Sequence, residues 1–179
     1  MSGTNLHIPT IETERLILRA PEGRDFEAYF KFLSSARTAG IGGPRTRDQA
    51  FQEICALVGH WHLRGYGRWM VAAKGTDEPL GVVGIMFPES WPEPEIAWSV
   101  FENAEGRGVA FEAATRARQY AYRTLGWSRI ISCTKTDNVR SMALARRMGA
   151  IHEYDYDHPT LGPLFVWRHV PSSEPGVGR

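Results

Sequence analysis

The strongest constraint on how this chain can fold is a six-residue run, Glu105-Gly106-Arg107-Gly108-Val109-Ala110, lodged between an extended segment and a long helical one. Ile96 to Phe101 reads as a strand. From Val109 to Leu125 small and apolar residues recur at Ala110, Ala113, Ala114, Ala117 and Ala121, which predicts a helix closed by Gly126. A strand that passes through two glycines into a helix start gathers unpaired N–H donors and a partial positive charge at one spot, and glycine lets an anion approach the main chain. The surroundings carry the same sign: residues 101–150 hold nine Arg or Lys against four Asp or Glu, net +5, while 1–100 hold ten against twelve and 151–179 two against four. The run is not a Walker loop, since no Gly-Lys-Ser/Thr follows. Nor is it the dinucleotide fingerprint, since no third glycine completes G-x-G-x-x-G. Taken alone, Gly106 and Gly108 need be no more than a strand-to-helix turn.

The rest of the pattern is mixed. Leu16 to Leu18, between Arg15 and Arg19, reads as a short strand, and Phe26, Tyr29, Phe30 and Leu33 form one helical stripe. A second helix from Thr46 places Ala50, Ile54, Leu57, Val58 and Trp61 on one face and ends near Gly65. Trp69 to Lys74 and Leu80 to Phe87 form a hairpin, and Pro88, Pro92 and Pro94 stiffen the loop that follows. Arg129 to Lys135 is a further strand, Asn138 to Met148 a short helix stopped by Gly149, and Ile151 to Tyr156 and Leu164 to Val170 are the last strands. About seven strands and four helices in this order predict an α/β fold, a mixed sheet with helices on its faces. A length of 179 residues implies one domain, 1–170, followed by a solvated tail from Pro171 to Arg179.

Composition narrows the partners. Twenty-one basic against 20 acidic side chains leave +1, so no global field marks a nucleic-acid binder, and the net +5 segment is the sole basis for that reading. Two cysteines without CxxC spacing exclude a disulfide scaffold. The first fifteen residues have no apolar signal region and no stretch approaches the roughly 20 apolar residues of a membrane helix, which points to a cytoplasmic address and no membrane partner.

The stretch Glu95-Ile-Ala-Trp-Ser-Val-Phe-Glu-Asn-Ala-Glu-Gly-Arg-Gly-Val-Ala-Phe-Glu-Ala resembles the acetyl-CoA motif of GNAT superfamily N-acetyltransferases, and within them the RimJ/RimL-like branch, the ribosomal-protein alanine acetyltransferase type. Thr13-Glu14-Arg15-Leu16-Ile17-Leu18-Arg19 and the late Asn138-Val-Arg-Ser141…Arg147-Met-Gly149-Ala are similar to that branch too, in the same order. The resemblance implies a GNAT-type fold, mostly antiparallel, with Ile96 to Phe101 and Arg129 to Lys135 as a splayed central parallel pair. It implies acetyl-CoA as co-substrate, its pyrophosphate on amides of Arg107, Gly108, Val109 and Ala110 and its pantetheine arm on the backbone of Val100. Asn138 would hold that arm, or simply cap its helix. Ser141 would sit by the sulfur and assist the leaving thiolate. Two departures stand out. The superfamily pattern Q/R-x-x-G-x-G/A begins here with Glu105, whose carboxylate would repel a pyrophosphate and is expected to point away. A tyrosine common four residues after Ser141 is replaced by Ala145.

An amine attacks a thioester only when neutral; deprotonation at pH 7 costs about 1.4 kcal/mol for an α-amine of pKa near 8 and about 4 to 5 for one near 10.4. Glu95, opening its strand and matching the glutamate of that branch, is the expected base. Trp91 is expected to touch the acceptor, and Glu93, with Glu89, to draw a cation to the mouth. Asp155, Asp157 and His158 read as an acidic surface turn, and Cys133 as a core residue. His60 and His62 face different ways without further ligands, so no metal is expected. The implied acceptor is an amine: a peptide N-terminus, or a small amine such as a polyamine, amino acid or aminoglycoside. A non-catalytic acyl-CoA-binding module is the remaining alternative, and oligomeric state, a homodimer included, stays open.

Overall fold

Short β-branched runs separated by turns pair into one sheet in the computed structural model, which describes residues 7–171. Its strands are β1 (Ile11–Glu12), β2 (Leu16–Arg19), β3 (Arg68–Ala73), β4 (Pro79–Met86), β5 (Glu95–Val100), β6 (Ile130–Lys135), β7 (Ile151–His158) and β8 (Gly162–His169). They lie in the order β1-β2-β3-β4-β5-β6-β8-β7, every neighbour antiparallel except β5 with β6. The sheet has one strand more than its sequence pattern suggests, because the two residues of β1 are too few to show an alternation. A largely antiparallel sheet with one parallel pair at its centre is the arrangement that the resemblance implies.

Four α-helices flank the sheet: α1 (Phe26–Leu33), α2 (Arg47–Arg64), α3 (Val109–Arg123) and α4 (Val139–Arg147). Thr46 caps α2 through a reciprocal pair with Gln49, and Gly65, at φ 74°, ends it. Successive β3 residues point to opposite faces. Val71 packs with α3, whereas Met70 packs with Tyr29, Leu33, Ile54 and Leu57 of α1 and α2. The contact stripe of α3 is Ala113, Ala114, Ala117 and Ala121, all fully buried, and side chains this small let the helix lie close on the sheet.

The parallel pair is what positions a site. Strands β5 and β6 share one registered pair, Glu95 with Ile131, beside which the Ile131 N–H donates to Pro94 O at 3.1 Å. Beyond it the ladder is replaced by side chains: Ser132 Oγ donates to Ile96 O at 2.6 Å and the Cys133 N–H donates to Glu95 Oε2 at 2.7 Å. The two strands then part, while β5 stays registered with β4 as far as Gly81 and Val100. The edge of β5 that faces β6 is therefore left open from Ala97 onward.

Strand β7 continues to His158, so Asp155 and Asp157 face Phe165 and Pro163 across a ladder rather than forming a surface turn. Cross-strand pairing with β8 overrides the turn-like composition of Asp155 to His158. The tail expected after residue 170 lies, beyond Pro171, outside the described residues. Among the described residues no helix is long and apolar enough to cross a membrane.

Gly81 marks how tightly β5 is held, since a Cβ there would sit 2.5 Å from Ser99 O. The Gly81→Ala variant is expected to lose about 1–3 kcal/mol of stability in urea unfolding, by overpacking. A variant as stable as the parent would show that the β4–β5 contact is loose.

Candidate active site

The fork between β5 and β6 opens into two adjoining cavities of about 570 and 270 Å³ that share Trp98, Ser99, Asn138 and Ser141 in their walls. The larger runs from the open edge of β5 at Val100 to the loop before α3, where Gly108, Val109 and Ala110 line it. Gly106 and Gly108 both take left-handed conformations, φ 70° and 78°, and Gly108 is the N-cap of α3. That geometry turns the first-turn amides of the helix into the cavity's end.

The loop is pinned from behind. Glu112, in the first turn of α3, accepts from Thr13 Oγ1 at 2.5 Å, from the Arg15 main-chain N–H at 3.1 Å and from Arg15 Nε at 2.8 Å, while Arg15 Nη2 donates to Arg107 O at 3.1 Å. The opening Thr13–Arg15 stretch thus acts as a scaffold for a loop more than 90 residues away, a pairing that no local spacing reveals. The Arg107 side chain does not line the cavity; it donates to Asn103 O at 3.0 Å.

Glu105 does not turn away from the groove as expected. It lies in the wall, clasped by Arg37 and by Arg140 at 2.7 Å, and the Arg37 guanidinium foremost holds its carboxyl below the usual range. Two cations on one anion leave the mouth positive despite the acidic residue. An open strand edge, glycine-exposed amides at a helix start and a positive mouth together fit a long amide-bearing ligand that ends in phosphates, as coenzyme A does.

At the junction of the cavities, Asn138 Oδ1 accepts from the Ser141 N–H at 3.1 Å and so caps α4, while Nδ2 makes no hydrogen bond among the described residues. Ser141 Oγ accepts from the Trp98 indole at 3.3 Å, which leaves its own proton free to donate.

The smaller cavity contains Glu95, 4% exposed. Burial pushes its carboxyl from 4.5 up to about 7, against the opposing pull of the Cys133 N–H. Trp91 lines the same wall; its buried indole N–H faces this carboxyl without closing a hydrogen bond of normal geometry. The Trp91 ring packs edge-on against His158 at 4.6 Å. His158 accepts at Nδ1 from the Thr160 and Leu161 N–H groups and therefore donates from Nε2 to Ser90 Oγ at 3.0 Å, so it acts as a brace. Glu93 lines neither cavity. Arg168 holds it in a bidentate pair at 2.7 and 2.5 Å and draws its carboxyl pKa down. Cys133 does line the cavity, with its thiol pushed far up by burial and by Glu95, which leaves no thiolate at neutral pH. Arg68 from β3 and Glu53 from α2 line the cavity with Glu95, as does Lys135 from β6. Neither Arg68 nor Glu53 carries a sequence signal, because only the packing of α2 and β3 brings them to the fork. His60 is locked between Tyr66 O and the Phe87 N–H, and among the described residues no cluster suits a metal.

Comparison with known proteins gives consistent findings. The acetyltransferase (GNAT) domain family matches residues 15–151. An uncharacterized N-acetyltransferase of Bacillus subtilis (strain 168), YoaA, is 28% identical over 161 residues, covering 85% of this chain and 91% of its own. The crystal structure of an acetyltransferase from Agrobacterium tumefaciens str. C58 superposes with a TM-score of 0.85 at 33% identity, covering 96% of this chain and 99% of that one. The ribosomal L7/L12 alpha-N-protein acetyltransferase RimL, solved in complex with coenzyme A, shares the fold at a TM-score of 0.74 and 17% identity, covering 93% and 100% of the two chains.

Two predictions follow from this geometry. Gly108→Ala places a side chain at φ 78°, with Arg15 Nη2 at 3.5 Å in ordinary contact, so its penalty is conformational, roughly 1–2 kcal/mol. Calorimetry should then show coenzyme A affinity lower by about tenfold; an unchanged affinity would mean that the loop does not touch the ligand. Because the folded pKa of Glu95 exceeds its unfolded value, the native state binds more protons than the unfolded one between about pH 4.5 and 7, and stability falls as pH rises through that window. Glu95→Gln keeps an acceptor for the Cys133 N–H and should abolish that decline in chemical denaturation; a decline that persists would assign it to another group.

Proposed function

This chain belongs to the GNAT acetyltransferase family, and from that premise we propose that it moves acetyl from acetyl-CoA to a primary amine by direct attack in a ternary complex, with Glu95 as the base and Ser141 as a hydrogen-bond donor to the leaving sulfur. The observation that carries this reading is a carboxyl buried at the strand fork, titrating near 7, in a cavity that opens onto the coenzyme groove. A base poised near the working pH is what proton removal from an ammonium requires.

The coenzyme supplies an activated thioester. The amide groups of Gly108, Val109 and Ala110 are the proposed pyrophosphate donors, with Arg107 contributing through its main chain only. The open edge at Ser99 and Val100 and the free Nδ2 of Asn138 are the proposed contacts for the amide-bearing arm. As the amine nitrogen bonds to the acetyl carbon, the C–S bond breaks. Glu95 takes the proton released from nitrogen, and the departing sulfur leaves as a thiolate that accepts a hydrogen bond from the Ser141 hydroxyl, itself accepting from Trp98.

The acidity of Glu95 selects among acceptors. Transfer from an α-ammonium near pKa 8 to a carboxylate near 7 is uphill by about 1.4 kcal/mol, and from an alkylammonium near 10.4 by about 4 to 5. An acceptor whose amine titrates low is therefore favoured, and a cavity of about 270 Å³ admits a small molecule or a single residue. Membership of the RimJ/RimL-like branch is proposed from the order of the three motifs at Thr13–Arg19, Glu95–Ala113 and Asn138–Ala150. It concerns how the coenzyme is held, not which amine is used.

Thiol release across pH tests the proposal. The kcat/KM of the parent should rise through an apparent pKa near 7. Glu95→Gln should lower kcat by about 10²- to 10⁴-fold and remove that limb, with coenzyme A affinity retained. An unchanged kcat from pH 6 to 9 would exclude Glu95 as the base.

A further inference from the structure

Arg68 differs from the arginines around it. Arg45 is paired with Glu53 at 2.5 Å, Arg64 with Glu89 and Arg168 with Glu93. The Arg68 side chain, half-buried at the start of β3, makes no hydrogen bond or ion pair among the described residues, although its carbonyl accepts from the Trp61 indole at 3.0 Å, and it lines the smaller cavity with Glu95. Its charge reaches Glu95 and Tyr29, where it opposes the upward shift that burial causes, and His60, where it adds to the downward one, so it lies within the site's field. The other carboxylate in that wall, Glu53, is already taken by Arg45. A half-buried guanidinium that lines a cavity without a protein counter-ion is available to an anionic ligand, and its planar fork matches a carboxylate.

We propose that the acceptor is a small amino carboxylate, its carboxylate held by Arg68 while its amine faces Glu95. This rests on the reading of the chain as an N-acetyltransferase with Glu95 at the amine. The alternatives fit the charges less well. A polyamine or aminoglycoside would bring further cations against Arg68 and against Lys135, which lines the same cavity. A peptide N-terminus has its nearest carboxyl tied up in an amide and leaves Arg68 unpaired. Pairing with Arg68 also has a chemical consequence: it offsets the negative charge that would keep a neighbouring ammonium protonated, and so eases proton transfer to Glu95.

The test compares L-amino acids with the matching amino acid amides and decarboxylated amines, using the full chain, acetyl-CoA and thiol release. The parent should favour the carboxylate over the amide by about tenfold or more in kcat/KM, mainly through KM. Arg68→Gln should bring that ratio close to one, and Arg68→Lys should restore part of it. A ratio near one in the parent, or one that survives Arg68→Gln, overturns the proposal while leaving acetyl transfer intact. Should no amine be acetylated, calorimetry in the presence of coenzyme A decides. Tighter binding of the amino acid than of its amide, lost in Arg68→Gln, supports the subsite and removes the acetyl-transfer reading. Equal binding, or none of either, overturns the subsite.

Discussion

Two parallel strands that share one register pair leave main-chain groups unpaired at the point where they separate, and the structure depends on how those groups are satisfied. A buried N–H or C=O without a partner costs about 1–3 kcal/mol, so an unsupported fork would close or fill with water. Here the Cys133 N–H is met by the Glu95 carboxyl and Ile96 O by the Ser132 hydroxyl. Behind Ser132 stands His169, 1% exposed, whose imidazole is pushed down to about 3 by burial and by Arg118 and Arg168. Since Ser132 spends its proton on Ile96 O, His169 donates from Nε2 at 2.9 Å. Side chains of β5, β6 and β8 thus take the place of the missing ladder at the fork.

The same carboxyl that completes the main chain at the fork is the group proposed for proton transfer, and the two roles share a cause. To reach Cys133, Glu95 must be buried, and burial raises its affinity for a proton into the range where it can serve an amine. The destabilising effect of ionising a buried carboxyl is therefore inherent in the design. At the other end of the groove the opposite solution applies: Glu105 is kept ionised by two arginines at an open mouth, and its charge is offset rather than suppressed. Two glutamates ten positions apart acquire opposite acidities from their surroundings alone.

What was legible in the sequence was local. The alanine stripe of α3, the Thr46 cap, the glycine pair before α3 and the two central strands all follow from spacing and residue type, and the family resemblance named Glu95 and Ser141 as candidates. What escaped was decided by distant partners. Glu93, expected to draw a cation to the mouth, is clamped by Arg168, 75 residues on. Asp155 and Asp157 looked like a turn but are paired across β8. Arg15 gave no hint that it holds Glu112, and Arg68, one residue before the strand read from Trp69, gave none that it lines a cavity with Glu95. Charge pairing between elements far apart in the chain has no period for a local pattern to detect.

The protonation state of one side chain tests the central claim most directly. Difference infrared spectroscopy of the carboxyl band, parent minus Glu95→Gln, followed from pH 4 to 9, reads that group without relying on turnover. The account predicts a single protonated carboxyl signal that disappears with a midpoint near 7 and is absent from the variant. If every carboxyl of the parent is ionised by about pH 5, the buried fork does not tune Glu95.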